Sequence, residues 1–347
     1  MYRSASAQKP LLPSARSTSP FSSRSREGED RRLTIAVIVV GHNSERWLAS
    51  CFAGFRDAGE EMKLIYVDNA SSDGSVGVVE SLGNVVIIRN ARNLGFGEAC
   101  NVGARFASVR GARVLFFLNP DTRATAELVT RCATAAVSDD SIGMVGPLQI
   151  EYGSRDSPRF NTWTRRAVRC ADVYPSEHFR VKPFGEADFA EWLADQRSDV
   201  EVWYVNGGAF AIRSEVFEAC GGFDPAYFLF FEEIDLARRA RWLGFRAAML
   251  PDAIVEHAWG GHESGIRLRE WTRSKYQFVL TDASLPSSSR LKKIVCHLAR
   301  DAVMSLRGEA SAIGAIAALT CLGRPRSAVR RSRNSCRQRD RRAALDS

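Results

Sequence analysis

Apolar residues first appear along the chain in short unbroken runs. Positions 33–40, 63–67, 84–89 and 114–118 are rich in Val, Ile, Leu and aromatics, the last reading Val114-Leu115-Phe116-Phe117-Leu118. Runs this short, apolar at successive positions instead of alternate ones, predict strands buried on both faces, as in a parallel sheet. Polar turns and helical patterns separate them. Gly41-His42-Asn43-Ser44 turns the chain, with Ser44 or Asn43 placed to cap a helix from about Glu45. The loop 68–75 feeds a helix near Val76, and Asn93-Leu94-Gly95-Phe96-Gly97 feeds another through Phe106. Strand and helix alternating at this rhythm predict an α/β fold, its sheet covered by helices on both faces.

The pattern weakens over 151–200, where only 184–196 suggests a short helix. It returns at 202–212, and Ile234, Leu236, Ala237, Ala240 and Leu243 space a helix over 233–243 that Gly244 ends. A strand-like stretch at 247–250 follows, with His257 beyond it. Further on, Leu291, Ile294, Val295, Leu298 and Ala302 form one apolar stripe, with Arg290, Lys293, His297, Arg300 and Arg307 on the other side. The apolar segment 312–322 is about half the length of a membrane span.

Charge divides the chain. The net +8 resides in two tails, +4 over 1–32 and +7 over 323–347, which leaves the body at −3. An acidic body argues against nucleic-acid binding. The eight cysteines are scattered, with no zinc spacing and no dense framework, as suits a reducing compartment. Residues 1–32 are Ser-, Arg- and Pro-rich, read as disordered and lacking the apolar core of a signal peptide.

The candidate chemistry gathers at strand ends. Pro120 stops the fourth strand, having no N–H to give, and leaves Asp121 at its carboxyl end, where ligands bind in open α/β sheets. A lone carboxylate there suits a hard divalent cation carrying phosphates, although Asn-Pro-Asp is also good turn chemistry. Glu232 and Glu233 open the 233–243 helix, where the dipole favours their ionised forms.

In order, the chain carries Gly-His-Asn at 41–43, Val-Asp-Asn-Ala-Ser-Ser-Asp-Gly-Ser at 67–75, Asn-Leu-Gly-Phe-Gly at 93–97 with Asn101, and Leu-Asn-Pro-Asp at 118–121. Gly-Gly-Phe-Asp at 221–224, Phe-Phe-Glu-Glu-Ile-Asp-Leu at 230–236 and His257 complete the set. This series resembles the inverting nucleotide-sugar glycosyltransferases of family 2, which have the GT-A fold, and most of all their bacterial rhamnosyltransferase-like branch. The resemblance covers about 34–265. It implies a mostly parallel central sheet with helices on both faces and a nucleotide-sugar site that includes Gly41, His42, Asn43, Asp68, Asn69, Gly95, Phe96, Asn119 and Asp121. Asp68 would accept the N3–H of a pyrimidine base, and Asp73 would cap the helix after it. Asp121 matches the last acid of the family's metal motif, whose earlier acid is here Asn119. The cofactor implied is Mg²⁺ or Mn²⁺, held by Asp121 with His257 completing the shell. The general base is one acid of a pair whose second member maps onto Glu233. Glu stands here for the usual Asp, so the assignment between Glu232 and Glu233 stays open, while Asp235 reads as structural. The partners implied are a nucleoside-diphosphate sugar, dTDP-rhamnose first, and a glycan or lipid-linked acceptor in cell-envelope polysaccharide synthesis.

Two rivals remain. A nucleotide-sugar-binding or scaffold protein with impaired catalysis would explain Asn119 and the Glu-Glu pair. A nucleotidyltransferase or dehydrogenase would use a similar sheet, but no Gly-x-Gly-x-x-Gly follows the first strand. The expected organisation is a disordered basic segment at 1–32, a glycosyltransferase domain at 33–265, a helical extension at 266–322 and a disordered basic tail at 323–347. The extension's amphipathic stripe beside that tail suits docking on an anionic membrane surface, which would place the protein in the cytoplasm, peripheral on the membrane's cytoplasmic face.

Overall fold

Ile35–Gly41 forms β1, buried along its whole length. Its alternate residues sort to two faces: Ala36, Ile38 and Val40 enter one core cluster and Ile35, Val37 and Val39 the other. That two-sided burial is why the run is continuously apolar, since side chains alternate across a strand. The computed structural model describes residues 33–169, 183–259 and 265–306. The expectations for 1–32, 312–322 and 323–347 lie outside the described residues.

After β1 come α1 (Glu45–Phe52), β2 (Met62–Asp68), α2 (Ser75–Glu80), β3 (Val85–Arg89), α3 (Phe96–Ser108) and β4 (Val114–Leu118). β1 pairs in parallel with β2 and β4, and β2 with β3, so the carboxyl ends of these strands share one edge. α3 packs Ala99, Cys100, Ala104 and Ala107 into the first core cluster, and α1 packs Leu48, Cys51 and Phe52 into the second. Cys51 and Cys100 are thus core residues, and burial pushes both thiols up. Ser44 precedes α1 without a side-chain cap bond, and the first helical N–H, of Glu45, is instead accepted by Asp73. Asp73 also accepts the N–H of Ser75 at the start of α2, so one carboxylate orders two helix starts.

The second half adds β5 (Thr122–Arg123), α4 (Ala126–Ser138), β6 (Ile142–Glu151), α5 (Thr162–Arg169), α6 (Glu186–Ala194), β7 (Val200–Val202), β8 (Ala209–Arg213), α7 (Ser214–Ala219), α8 (Glu232–Trp242) and β9 (Arg246–His257). The sheet order is β3-β2-β1-β4-β8-β6-β9-β5, with β7 also on β9. β8 is antiparallel to both neighbours, but the longest ladders, β1 with β2 and β6 with β9, are parallel. His257 is therefore not beyond a short strand at 247–250; it is the last residue of β9. The strand survives Pro251 because its ladder to β6 shifts register there, Pro147 pairing with Leu250 and Leu148 with Ile254.

α9 (Gly265–Leu280) and α10 (Ser287–Leu306) follow. α9 joins the main core: Phe278 meets Trp203, and both Phe278 and Trp271 meet Phe231. α10 divides the stripe expected of it. Ile294 and Leu298 pack on Tyr276 and Val279 of α9, whereas Leu291 and Val295 are 62% and 56% exposed. Among the described residues, no helix is long and apolar enough to cross a membrane.

Candidate active site

The shared strand edge, the start of α8 and the end of β9 surround a cleft of about 870 Å³. Asn119 leaves β4 by donating its N–H to Gly208 O at 2.8 Å, and Pro120 and Asp121 then turn toward Thr122, whose N–H returns to Asn119 O. Thr122 pairs with His257 in the short β5–β9 ladder. That pairing brings Asp121 Oδ1 to 3.1 Å from His257 Nε2, although 136 positions of sequence separate the two. Both side chains are nearly buried and both line the cleft. Asn119 Nδ2 lies 3.3 Å from the same imidazole nitrogen.

This donor set fits a divalent cation. Two cis ligands at the 2.0–2.1 Å bonds of octahedral Mg²⁺ stand about 3 Å apart, close to the spacing found. Among the described residues no third His, Cys, Asp or Glu joins them. An ion here would take its other positions from water and phosphate oxygens, as Mg²⁺ tends to do.

The acid pair lines the same cleft. Phe230 and Phe231 both adopt left-handed backbone, φ 69° and 71°, which bulky residues rarely do. The double turn delivers the chain into α8, with Glu232 and Glu233 in its first turn. Glu233 is partly exposed on the cleft wall and packs beside Gly207. Burial pushes its carboxyl up to about 7, against the lowering effect of backbone N–H groups including that of Gly207. Glu232 is 5% exposed, its Oε2 has no hydrogen-bond partner, and burial followed by the adjacent Glu233 charge pushes it well above the carboxylate range. Both carboxyls line the cleft, Glu233 the more exposed of the two, and burial raises both above the usual carboxylate range.

The expected nucleotide residues divide. His42, Asn43, Asn69, Gly95, Phe96 and Asn119 line the cleft, while Gly41 and the buried Asp68 are not among its lining residues. The Asp68 carboxylate accepts the N–H of Ser71 at 3.3 Å, an Asx-type turn. Asn69 links loops: its amide donates to Asn93 Oδ1 and Gly95 O and accepts from Leu94 N–H and Asn90. Gly95, at φ 83°, lets Phe96 N–H reach Phe228 O; a Cβ there would lie 2.4 Å from that same oxygen.

Sequence reasoning assigned no role to Gln149, Gly207, Gly208, Trp163, Trp259 and Trp271. Of these, Gln149 touches His257 and the other five line the cleft. Gln149 carried a signal, a lone amide in the apolar run 144–150. The tryptophans carried none, because their segments lack period.

The model of glycosyl transferase family 2 matches residues 36–220, just over half of the chain. An N-acetylglucosaminyl-diphospho-decaprenol L-rhamnosyltransferase of Mycobacterium tuberculosis is 25% identical over 232 residues, 62% of this chain and 72% of that protein. Among solved structures, a mannosyltransferase from Pyrobaculum calidifontis in complex with GDP-Man and Mn²⁺ superposes with a TM-score of 0.53 at 14% identity, covering 91% of this chain and 88% of its own. GalNAc-T7 with UDP, GalNAc and Mn²⁺ gives 0.51 at 18% identity over 75% of this chain and 52% of its own. The likeness to these structures establishes the expected GT-A α/β fold.

Proposed function

The chain belongs to glycosyltransferase family 2, and from that premise we propose that it catalyses inverting, metal-assisted transfer of a sugar from a nucleoside-diphosphate sugar to an acceptor hydroxyl. One observation carries the reading: a carboxylate–imidazole pair spaced for a cation faces the same cleft as a carboxyl pushed up to about 7. Inversion by single displacement needs a base for the hydroxyl proton, and a base poised near neutrality serves best. Glu233 takes that part: it accepts the proton at its carboxylate, steered by the Gly207 N–H, and the α8 N-terminus favours the ionised form it starts from. Burial and the adjacent Glu233 charge push Glu232 above the carboxylate range, so the pair resists carrying two charges. Asp121 and His257 would hold Mg²⁺ or Mn²⁺, which supplies charge neutralisation to the departing diphosphate.

Rhamnose from dTDP-rhamnose is the donor to try first, supported by the 25% identical rhamnosyltransferase. That relative's name places its acceptor on a lipid diphosphate, and a glycan or lipid-linked hydroxyl is proposed here. The domain organisation follows: a catalytic body from 33 to about 265, completed by α9 through Trp271, with α10 as a peripheral membrane contact. Exposed Leu291 and Val295 beside exposed Lys292 suit an anionic leaflet. The test is nucleoside-diphosphate release from a panel of nucleotide sugars with Mg²⁺, Mn²⁺ or chelator. Metal-dependent release from at least one donor is expected. Binding without release from any would favour the impaired-binder reading, and release indifferent to chelator would remove the metal.

A further inference from the structure

Gln149 lies two residues before the end of β6, wholly buried between Leu148 and Ile150 of the strand. A buried amide left unpaired costs about 1–3 kcal/mol for each such group, so its partners are informative. Nε2 is 3.0 Å from the carbonyl of Asn206 and 3.3 Å from that of Ala209. Carbonyl oxygens only accept, so the amide nitrogen must face them, and this decides which way the amide points. The other end, Oε1, is then 3.1 Å from His257 Nδ1. An amide oxygen also only accepts, which calls for a proton on Nδ1. The Asp121 carboxylate would call for one on Nε2, but the Asn119 amide nitrogen 3.3 Å from Nε2 is a donor, so a neutral ring with Nδ1–H leaves Nε2 as the acceptor.

Among the described residues, Gln149 is the hydrogen-bond partner of Nδ1. A Cβ on Gly208 would sit 2.6 Å from His257 Nδ1 and 2.7 Å from Gln149 Oε1, so the pair meets directly over a residue that has no side chain. Trp259 packs on the ring with centroids 4.1 Å apart. On the far side, Nε2 faces Asp121 Oδ1 at 3.1 Å.

We infer that Gln149 is a positioning residue: it holds His257 in the Nδ1–H tautomer and keeps the bare Nε2 turned to Asp121. Its use rests on the proposed cation site, whereas the tautomer itself rests on the hydrogen bonds alone. Without that acceptor the ring proton can move to Nε2 and be donated to the Asp121 carboxylate. The two ligands would then satisfy one another and compete with the ion. A neighbour that fixes the tautomer of a ligating histidine in this way is worth about 10–100-fold in metal affinity.

The test is long-range ¹H–¹⁵N spectroscopy of the full chain with labelled histidine, without metal, at about pH 8.5 where an ordinary imidazole is neutral. The His257 signals are assigned by their loss in His257→Asn. The wild type should show Nδ1–H, and an Nε2–H ring would overturn the inference whether or not any variant folds. Gln149→Met, of similar length with no acceptor, should move the ring toward Nε2–H. It should also weaken Mn²⁺ binding in the presence of dTDP, read from the free-Mn²⁺ resonance, by about 10–100-fold. An unchanged Nδ1–H ring in a folded Gln149→Met protein would likewise overturn the inference. If the wild type shows Nδ1–H, the variant loses it, and Mn²⁺ with dTDP leaves the wild-type His257 signals sharp, the tautomer role stands and the cation reading falls.

Discussion

Replacing Asp235 by Asn should remove a large part of the protein's stability. Asp235 is 1% exposed, one turn after Glu232 on α8, and its carboxylate receives Arg238 Nη2 on one oxygen and Arg239 Nε at 2.7 Å on the other. The two guanidiniums, both fully buried, then fan outward. Arg239 reaches the carbonyls of Cys220 and Gly222, and Arg238 reaches that of Phe278 on α9. One carboxylate therefore centres the contacts that seat α8 between the 220–224 turn and α9. Burial alone would raise its pKa, but the charges of Arg239 and Arg238 outweigh that and hold it below the usual carboxylate value. Removing one partner of a buried ion pair costs about 3–5 kcal/mol, because the other charge is left uncompensated. Asn keeps the volume, and Asp282 and Asp224 still act on the two arginines, so the lower end, about 3 kcal/mol, is expected. Against a typical total of about 5–15 kcal/mol this is a large share. Urea denaturation should show a lower midpoint at unchanged slope. The pH sign follows from a depressed folded pKa. The advantage of wild type over Asp235→Asn is fully present above the unfolded value of about 3.9 and is lost as pH falls through the lower folded value. A variant within about 0.5 kcal/mol of wild type at neutral pH would refute the reasoning, since that is the scatter of a surface substitution.

Other consequences follow from the same geometry. Turnover should rise with pH through about 7 as Glu233 loses its proton; a rate flat across that region would remove Glu233 as the titrating base. Asp121→Ala should abolish metal-dependent binding of the nucleoside diphosphate in calorimetry, and His257→Ala should weaken it less, a water replacing the neutral ligand; unchanged affinity in Asp121→Ala would count against the cation site. A chain ending at Ser289 should lose partition onto anionic vesicles relative to the full chain, and Leu291→Ser with Val295→Ser should weaken it in part; equal sedimentation of all three, or binding indifferent to salt, would dismiss the membrane contact.

How much of this was legible depended on locality. β1, β2 and β4 were readable because burial on both faces writes an apolar run, and Asp68 and Asp121 fall at or just after the ends of two such runs. β3 is instead the edge of the sheet, with Val86 40% exposed, and was readable from its Val and Ile residues alone. The β6–β9 ladder was not, because Pro147 and Pro251 interrupt both runs and a register shift absorbs them only in three dimensions. That is why His257 read as lying beyond a strand that it in fact ends. The acid pair was visible as a helix start, but not the left-handed Phe230 and Phe231 before it, since bulky residues carry no mark of positive φ. Nor could the sequence show that Glu233 is the more exposed of the two. The apolar stripe of α10 was real, yet periodicity could not tell that α9 covers only half of it.

The central claim is that Glu233 takes the acceptor's proton in a nucleotide-sugar transfer. Glu233→Gln tests it most directly, because Gln keeps the shape and the Gly207 contact but cannot accept a proton. Donor affinity and turnover are measured on the same preparation, with the donor that the panel identifies. The account predicts affinity within a few-fold of wild type and turnover lower by roughly 10²–10⁴-fold. Turnover within a few-fold of wild type would contradict it.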